Sequence, residues 1–380
     1  MMNMEDIENR YLEILKKDNK QPNYISGRTP IDHTQSYKGN IENFIGFAQV
    51  PIGLAGPLIM DGTEGISEHW IPLATTEGAL VASYNRGIKA ASSSGGFISR
   101  TISNKVQRSP YFEFDKLTKA LAFAKWLRSI ESMISAGVSQ ASRFAKLTSM
   151  DFMHEGNGLH VTFAYETGAA AGQNMTTLVT AQVLNQVIQQ APVKPTLFYI
   201  EGNMAGDKKA NLKSLSTVRG RKVISEVSIS KDIVQKILKS SPEKIVKFWQ
   251  TGTIAAVQSG AVGNHGHIAN GLTALFIACG QDVACISEAA VGIDRMEVKA
   301  NGNLYASLTL PGLIVGTVGG GTSLPTQRES LELMNCSRPE DVGKFAEVCC
   351  AVALAGELSI GAAIAEGHFA QAHQNHGRKR

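Results

Sequence analysis

One internal stretch of the chain, from about Pro110 to Glu201, constrains the fold most strongly. Its hydrophobic pattern predicts six elements in the order strand, helix, strand, strand, helix, strand. The strands are predicted at 111–114, 144–153, 158–166 and 196–201, and the helices at 116–134 and 171–190. This order is that of the split ferredoxin-like motif. Because unlike sequence flanks the stretch on both sides, we expect a small domain, 110–201, inserted into a larger one.

The larger domain is predicted to consist of 41–109 and 202–380. Within it, stretches such as 253–279 and 343–374 are rich in alanine and apolar nearly all round. Helices of that kind are buried in a large helical core or at a subunit interface.

Two further helices are predicted nearer the N-terminus. One covers about 75–91 and is expected to begin at the hydroxyls of Thr75 and Thr76. The other, at 5–17, is amphipathic and belongs to a small helical region spanning 1–40. The predicted fold class is therefore α+β, with a large, mainly helical domain and an inserted ferredoxin-like domain.

The composition of the chain argues against some classes of binding partner. The chain has 380 residues, of which 43% are hydrophobic, and its net charge is only +4. That charge is too small for a chain of this length to indicate binding to nucleic acid or to a membrane surface. The five cysteines form no regular framework, and the first thirty residues contain no apolar signal segment. We expect a cytoplasmic protein with reduced thiols and a small-molecule ligand.

Four segments carry side chains that could perform chemistry, and each also has a structural interpretation. Glu77 lies at the start of a predicted helix and could simply cap it. Lys208 follows a predicted strand, where it could be surface charge or could polarise a carbonyl oxygen. Asp282 lies in an apolar run, where a buried carboxylate needs a partner. The C-terminal histidines could form a solvated tail or supply an acid-base group; they are His368, His373 and His376.

Several common catalytic motifs are missing from the sequence. It contains no nucleophile elbow GxSxG, no phosphate-binding GxxxxGK[ST], no HExxH and no CxxC pair. The run VGTVGGGTS at 315–323 is rich in glycine but is not the Rossmann fingerprint. No metal site is predicted, because the closely spaced histidines of the tail have no further ligand at suitable spacing.

Taken together, several long motifs resemble the catalytic portion of the 3-hydroxy-3-methylglutaryl-coenzyme A (HMG-CoA) reductase family, in the family's order. The matching segments are ENFIGFAQVPIGLAGPL (42–58), PLATTEGALVASYNRG (72–87), DKK (207–209), GHIANGLTALFIACGQD (266–282), VGTVGGGTSLPTQ (315–327) and AGELSIGAAIAEGHFAQAH (355–373). The resemblance implies an NADPH-dependent four-electron reduction of the thioester to mevalonate and free coenzyme A. The inserted unit falls where the family places its cofactor-binding domain.

The resemblance also assigns catalytic roles. Lys208 would stabilise the oxyanion that forms as hydride reaches the carbonyl, and Glu77 would donate a proton. Asp282 would link these two groups, and His373 would protonate the departing thiolate. In the family such sites form between the subunits of a dimer, so the resemblance implies a homodimer or a larger assembly built from dimers.

Other positions match residues of the family that bind substrate or cofactor. The match on the acyl-coenzyme A side covers Asn85, Arg86, Lys239, His267 and the active-site asparagine Asn270, with Arg108 and Asp207 at the acyl carboxylate. The match on the cofactor side covers Asn174, Gly319, Gly320 and the segment Ser142, Arg143 and Phe144. That segment resembles the eukaryotic and archaeal class, in which an arginine holds the 2′-phosphate of NADPH.

Three positions depart from the family. Ala169 stands where an acidic residue is usual beside the nicotinamide, Glu201 replaces the expected serine of the carboxylate clamp, and Gln250 replaces its lysine. Two alternatives therefore stay open. One is the same reductase chemistry on a different acyl thioester, and the other is a binding protein that has lost efficient reduction.

Overall fold

The computed structural model describes residue 15 and residues 19–20, 22–217 and 219–367. Within these residues there are ten strands, which are β1 (Ile52–Gly62), β2 (Gly65–Ala74), β3 (Phe97–Arg108), β4 (Tyr111–Glu113), β5 (Lys146–Glu155), β6 (Gly158–Glu166), β7 (Leu197–Tyr199), β8 (Gly220–Ile229), β9 (Ile293–Val298) and β10 (Leu304–Leu313). They join into one sheet with the order β7-β4-β6-β3-β8-β10-β9; β1 pairs with β2 and β3, and β5 pairs with β6.

Eight helices of nine residues or more cover this sheet in the described part of the chain. They are α1 (Leu80–Ser92), α2 (Leu117–Ser129), α3 (Glu131–Ala141), α4 (Gln173–Gln190), α5 (Pro242–Ser259), α6 (Ile268–Ala278), α7 (Pro325–Leu333) and α8 (Val342–Ala365). Short helical segments are His33–Ser36, Lys213–Ser216, Lys231–Ile233 and Ile286–Ala289, the 3₁₀ turns Val283–Cys285, Gly320–Ser323 and Pro339–Asp341, and the π turn Val234–Leu238.

Strand β3 belongs to two parts of the sheet at once. Its first part pairs antiparallel with β8, from Ile98 opposite Glu226 to Lys105 opposite Gly220. Its last three residues, Val106 to Arg108, pair antiparallel with β6 instead. The sheet is therefore continuous, although the hydrophobic side chains divide into two principal cores.

The larger core surrounds α8. This helix packs against α1, α5 and α6 on its helical side and against β3, β8 and β10 of the sheet. All its residues from Phe345 to Ser359 are buried. Its approach to α1 is close, since a Cβ added at Gly87 would lie 1.9 Å from the carbonyl oxygen of Ala355. Only glycine fits at this crossing.

The smaller core lies between the helices α2, α3 and α4 and the strands β4, β5 and β6. The buried rings of Phe112 and Phe114 pack against Phe123, with centroid separations of 4.9 and 5.2 Å. The order of elements in this part of the chain is the predicted strand, helix, strand, strand, helix, strand. The predicted helix at 116–134 is interrupted at Ile130, so that α2 and α3 are separate helices.

The α+β class is confirmed, but the larger unit contains strands that the sequence pattern did not predict. In β8, alternate residues Val223, Val227 and Ile229 are buried, which is the pattern of a half-covered strand. In β1, glycines and Pro57 concealed the strand because they usually disfavour one. The predicted helix at 253–279 is in fact the end of α5, a loop and α6.

Two other helices were predicted, at 75–91 and at 5–17. The helix at 75–91 begins only at Leu80 and has no side-chain cap, so Thr75 and Thr76 do not start it. The amphipathic helix predicted at 5–17 lies outside the described residues except for the buried Leu15.

One helical segment, Pro339–Ala365, is long and apolar enough to cross a membrane by length and composition alone. Within this protein it is the central helix of the larger core, and 83% of its most apolar window is buried by the surrounding structure. The five cysteines are all buried and unpaired.

Candidate active site

A cavity of about 530 Å³ lies at the junction of the two cores. Its walls come from the end of β3, the turn before α4, the segment after α6 and a glycine-rich turn that follows β10. Its lining includes Arg108, Asn174, Asp207, Lys208, Asp282, Gly319 and Gly320. The structure thus brings together seven of the residues singled out from the sequence.

Glycine lets the walls of this cavity approach one another. A Cβ on Gly280 would lie 2.3 Å from the carbonyl oxygen of Gly321, so the two backbones are in contact there. The side chain of Gln281 joins the same two walls by accepting a hydrogen bond from Gly316 N at 2.9 Å and donating one to its carbonyl oxygen at 3.0 Å.

Lys208 and Asp282 form an ion pair in the cavity, with 2.8 Å between Nζ and Oδ2. Their hydrogen bond and charges raise the pKa of Lys208 above its ordinary value. Burial acts to raise the pKa of Asp282, but the ammonium and the amide of Ala284 lower it to a value below the usual one. The pair therefore presents a charged ammonium that can stabilise negative charge on an oxygen atom.

The prediction that Asp282 is buried is wrong. Its side chain keeps 40% of its accessible surface, and Lys208 keeps 44%. Asp282 lies after the end of α6, and its Oδ1 accepts the amide of Ala284 at 3.1 Å, which begins a 3₁₀ turn. The apolar run that suggested burial is the helix itself and not the turn that follows it.

A line of alternating charges adjoins the ion pair. Arg108 contacts the carboxylates of Glu201 at 3.0 Å and Asp207 at 3.3 Å. Asp207 in turn contacts Arg219 at 2.7 Å, and Arg219 contacts Glu288 at 2.6 Å. No sequence pattern pointed to Arg219 or Glu288, because their pairing depends on segments that only the folded chain brings together.

Glu77 lies in a second cluster. Its carboxylate accepts hydrogen bonds from Nδ2 of Asn270 at 3.1 and 3.4 Å, and its backbone amide donates to Thr75 Oγ1 at 3.0 Å. Glu77 is exposed and does not cap a helix with its side chain. It is not among the residues that line the cavity of Lys208.

Two of the predicted acyl-coenzyme A residues, Arg86 and His267, take part in contacts between α1, α6 and α8. The hydroxyl of Tyr84 donates to the carbonyl of His267 at 3.0 Å and accepts the amide of Gly271 at 2.8 Å. Arg86 donates to the hydroxyl and carbonyl of Ser359 at 2.7–3.1 Å. These contacts tie α1 to the start of α6 and to α8.

Two other predicted residues have separate surroundings. Asn85 accepts the amide of Gly56 at 3.0 Å through Oδ1. Lys239 lines a groove of about 380 Å³ that also holds Ser240, Ser241 and Lys244. Glu366 also lines this groove and pairs with Lys244 at 2.9 Å, so the groove carries charges of both signs.

The two clusters lie at opposite ends of α6. Asn270, which holds Glu77, is in its first turn, whereas Asp282 follows its last turn. The nine residues of helix from Asn270 to Ala278 span roughly 12 Å at the usual rise per residue. Within one protomer, the structure therefore does not bring Glu77 to Lys208.

On the cofactor side, Ser142, Arg143 and Phe144 form a turn at the end of α3. Ser142 Oγ accepts the amides of Phe144 and Ala145, both at 3.2 Å. The same hydroxyl lies 3.4 Å from the sulfur of Met175, which lines the cavity. The Arg143 guanidinium lies 4.6 Å from the centre of the exposed Phe144 ring.

This arrangement fits a dinucleotide phosphate. Arg143 offers a guanidinium fork for a phosphate group. Gly319 and Gly320 have positive φ angles, and a Cβ at either position would meet nothing within 4 Å. The backbone of this turn is therefore open to a ligand lying against it.

Some predicted residues are not part of the described site. His373 lies outside the described residues, as do His368 and His376. Gln250 is exposed on α5 and does not line the cavity. Among the residues that the structure describes, no group of three His, Cys, Asp or Glu side chains could hold a metal ion.

Sequence comparison identifies relatives along nearly the whole chain. A sequence model of the family described as hydroxymethylglutaryl-coenzyme A reductase matches residues 6–378. The 3-hydroxy-3-methylglutaryl-coenzyme A reductase of Pyrococcus horikoshii is 40% identical over 359 residues, which cover 93% of this chain and 87% of that protein. The enzyme of the same name from Methanocaldococcus jannaschii is 38% identical, covering 92% of this chain and 87% of its own.

The fold has solved counterparts. The class II 3-hydroxy-3-methylglutaryl-CoA reductase of Streptococcus pneumoniae, bound to NADPH in open conformations, matches with a TM-score of 0.74. The two proteins are 19% identical, and the match covers 94% of this chain and 96% of the other. At that identity the likeness shows a common fold, while the sequence matches show the family. The chain therefore belongs to the hydroxymethylglutaryl-coenzyme A reductase family.

Proposed function

We propose that this protein catalyses the reduction of HMG-CoA to mevalonate and free coenzyme A, with NADPH as reductant. The observation that carries the proposal is the ion pair of Lys208 with Asp282 in a cavity that glycine-rich turns leave open to a cofactor. The family match along residues 6–378 supports the reaction type. The NADPH named for the solved counterpart supports the cofactor.

The proposed chemistry uses the site as follows. When bound, NADPH would supply the hydride for both reductions, that of the thioester carbonyl and, after exchange of the cofactor, that of the aldehyde. Lys208 holds a positive charge where the oxygen becomes negative, which stabilises each transition state. Asp282 keeps that ammonium charged and in place. Glu77 donates the proton that completes the alcohol, and His373 protonates the thiolate of coenzyme A.

Substrate and cofactor would be divided between the units of the chain. We assign NADPH to the inserted unit, 110–201, with Ser142, Arg143, Phe144 and Asn174, and to the turn at Gly319 and Gly320. We assign acyl-coenzyme A to the unit made of 41–109 and 202–380, with Asn85, Arg86, Arg108, Asp207, Lys239, His267 and Asn270. We assign 1–40 to a small N-terminal helical region. We also infer a cytoplasmic enzyme that needs neither nucleic acid nor a membrane.

We infer a homodimer whose active sites form between subunits. Glu77 and Lys208 belong to clusters at opposite ends of α6, so one protomer does not supply both to a single small acyl group. A two-fold assembly could place Glu77 of one copy at the cavity of the other. The exposed Ile254 and Val257 of α5 offer apolar surface for such an interface.

NADPH oxidation with HMG-CoA, followed by absorbance, tests the reaction. We expect turnover that Lys208→Ala reduces at least about 100-fold, the size of effect seen when an oxyanion-stabilising group is removed. NADH in parallel tests the cofactor. No turnover by folded protein that binds NADPH would contradict the proposal. Equal turnover of a thioester without the terminal carboxylate would instead favour a different acyl substrate.

Mixing two inactive variants tests the dimer. Glu77→Gln and Lys208→Ala homodimers should each be inactive. If sites are shared, random mixing gives heterodimers with one intact site, and up to about a quarter of the wild-type activity returns. Equal mixtures that stay inactive, although exchange of subunits is verified by mass, would contradict a shared site.

A further inference from the structure

Arg219 and Glu288 form a buried ion pair next to the cavity. Arg219 Nη1 lies 2.6 Å from each oxygen of the Glu288 carboxylate. Their side chains are only 4% and 2% exposed, and neither residue lines the cavity. The ion pair therefore lies behind the residues that line the cavity.

Glu288 contacts Lys208 through the backbone. Its Oε1 accepts the amide of Lys208 at 3.2 Å. Lys208 has a φ angle of +56°, the left-handed conformation that residues other than glycine rarely adopt. Such a conformation persists only where neighbouring groups hold it. The Glu288 carboxylate is one of those groups, because it accepts a hydrogen bond from the backbone amide of Lys208 itself.

Arg219 contacts two residues that line the cavity, Asp207 and Gln173. Its Nη2 donates to Asp207 Oδ1 at 2.7 Å, and Asp207 is the residue just before Lys208. The same nitrogen donates to Gln173 Oε1 at 3.2 Å, at the first residue of α4. One guanidinium therefore joins the loop of Lys208, the start of the cofactor-side helix and Glu288.

We propose that Arg219 and Glu288 are positioning residues, whose ion pair fixes the backbone of Lys208 so that its ammonium points at Asp282 in the cavity. The inference rests on the proposed function, because it gives a reason why this lysine must be placed accurately. Lys208 reaches Asp282 with 2.8 Å between the charged atoms, and a change in its backbone conformation would swing the side chain away.

The chemistry of the pair suits this task. An arginine presents a planar fork that can meet Glu288 and Asp207 together, whereas a lysine offers one compact charge. Burial raises the pKa of Glu288, and the Arg219 charge opposes that effect, so the carboxylate depends on its partner. Loss of the Arg219 charge would remove the group that opposes the cost of burying Glu288, and loss of the Glu288 charge would leave Arg219 paired with Asp207 alone.

Glu288→Gln tests the proposal with little change in shape. We expect kcat to fall about 10- to 100-fold while the KM values for HMG-CoA and NADPH change less than about 3-fold, since orientation and not binding is lost. The matched control is Glu347→Gln. Glu347 is equally buried and accepts hydrogen bonds from Thr63 and Thr101, away from the cavity. This control should keep the wild-type kcat.

A second readout follows the Lys208 amine itself. Reductive methylation with carbon-13 gives each lysine an NMR signal, and Lys208→Arg identifies the relevant one. In the wild-type protein Asp282, Cys285 and Asp207 together raise the pKa of Lys208. In Glu288→Gln the ammonium should move away from Asp282, so its pKa should fall towards the ordinary lysine value. Thermal melting shows that each variant is folded.

Three outcomes would overturn the proposal. They are a Glu288→Gln kcat within about 2-fold of wild type, an equal loss in Glu347→Gln, and a Lys208 titration that does not change. If Glu288→Gln does not fold, Arg219→Lys keeps the positive charge and is expected to show the same loss of kcat and the same shift. If the wild-type protein reduces no HMG-CoA, the proposed function fails, but the Lys208 titration still decides the positioning role.

Discussion

Asp282 Oδ2 lies 2.8 Å from Lys208 Nζ, although the two residues come from distant parts of the chain. Lys208 belongs to the loop after β7, and Asp282 to the turn after α6. The contact raises the pKa of the lysine and so keeps it positively charged over a wider range of pH. An ammonium of this kind suits the stabilisation of an oxyanion.

Asp282→Asn should therefore alter the pH dependence of turnover. Activity that needs the ammonium is present below the pKa of Lys208 and is lost as the pH rises through it. Without the Asp282 charge that pKa falls, so the loss should begin at lower pH than in wild type. We also expect kcat at neutral pH to fall about 100-fold. Profiles of kcat against pH check this, and an unchanged basic limb would contradict it.

Arg143→Gln should weaken NADPH binding selectively. The guanidinium is exposed on a turn next to the cavity and is suited to a phosphate. Loss of a charge-assisted pair should raise the KM for NADPH about 10- to 100-fold and leave the KM for NADH nearly unchanged. Lys125→Gln, which removes an exposed charge on α2, is the matched control. Equal effects on both cofactors would argue against a 2′-phosphate contact.

Glu201→Ser should strengthen binding of an acyl group with a terminal carboxylate. Glu201 already neutralises Arg108 at 3.0 Å and places a negative charge beside the cavity. Removing about 1 kcal/mol of like-charge repulsion would lower the KM for HMG-CoA roughly 5-fold. A thioester without the carboxylate should show no such gain. Glu155→Ser, an exposed change on β5, serves as control. An unchanged KM for HMG-CoA would show that Glu201 does not oppose the substrate.

Gly87→Ala and Gly252→Ala should have opposite effects on stability. The added methyl group at Gly87 would overlap the Ala355 carbonyl, which is backbone and cannot swing aside. We expect a loss of about 3 kcal/mol or more in the free energy of unfolding. Gly252 lies inside α5 with nothing within 4 Å of the new Cβ. There, alanine should add about 0.5–1 kcal/mol. Chemical denaturation of both variants measures the difference.

His69 should make the protein less stable in acid. Burial lowers its pKa to about 4, although a hydrogen bond to the Met334 carbonyl opposes this. The unfolded chain takes up this proton below pH 6.5, whereas the folded chain does so only near pH 4. Stability is therefore lost as the pH falls, by about 2 kcal/mol between pH 7 and 5. His69→Gln should reduce the slope of unfolding free energy against pH, and an unchanged slope would contradict the assignment.

The sequence predicts an element of this fold correctly where its hydrophobic pattern matches the burial of the same residues in the folded protein. The elements of the smaller core follow the expected order because each has one apolar face and clear turns between elements. The clustering of Lys208 and Asp282 was expected from the family resemblance, and the structure places the two residues together.

Other features depend on long-range packing. The pairing of Arg219 with Glu288 joins the start of β8 to a helical turn after α6, and no local signal links them. The exposure of Asp282 depends on where α6 ends, which its apolar sequence does not mark. Glu77 is held by Asn270 and not by a helix start, because α1 begins only at Leu80, after Ala79 in the left-handed conformation.

The sharing of β3 between two cores has a consequence for engineering. The segment 110–201, which we propose to be an inserted domain, therefore cannot be removed or exchanged by cutting the chain at its two ends alone. A cut near residue 110 would leave β3 in place but strip β6 from Val106, Gln107 and Arg108, exposing unsatisfied backbone at the centre of the sheet. A chimera with another family member would need the donor's β3 as well, and with it the arginine at its end.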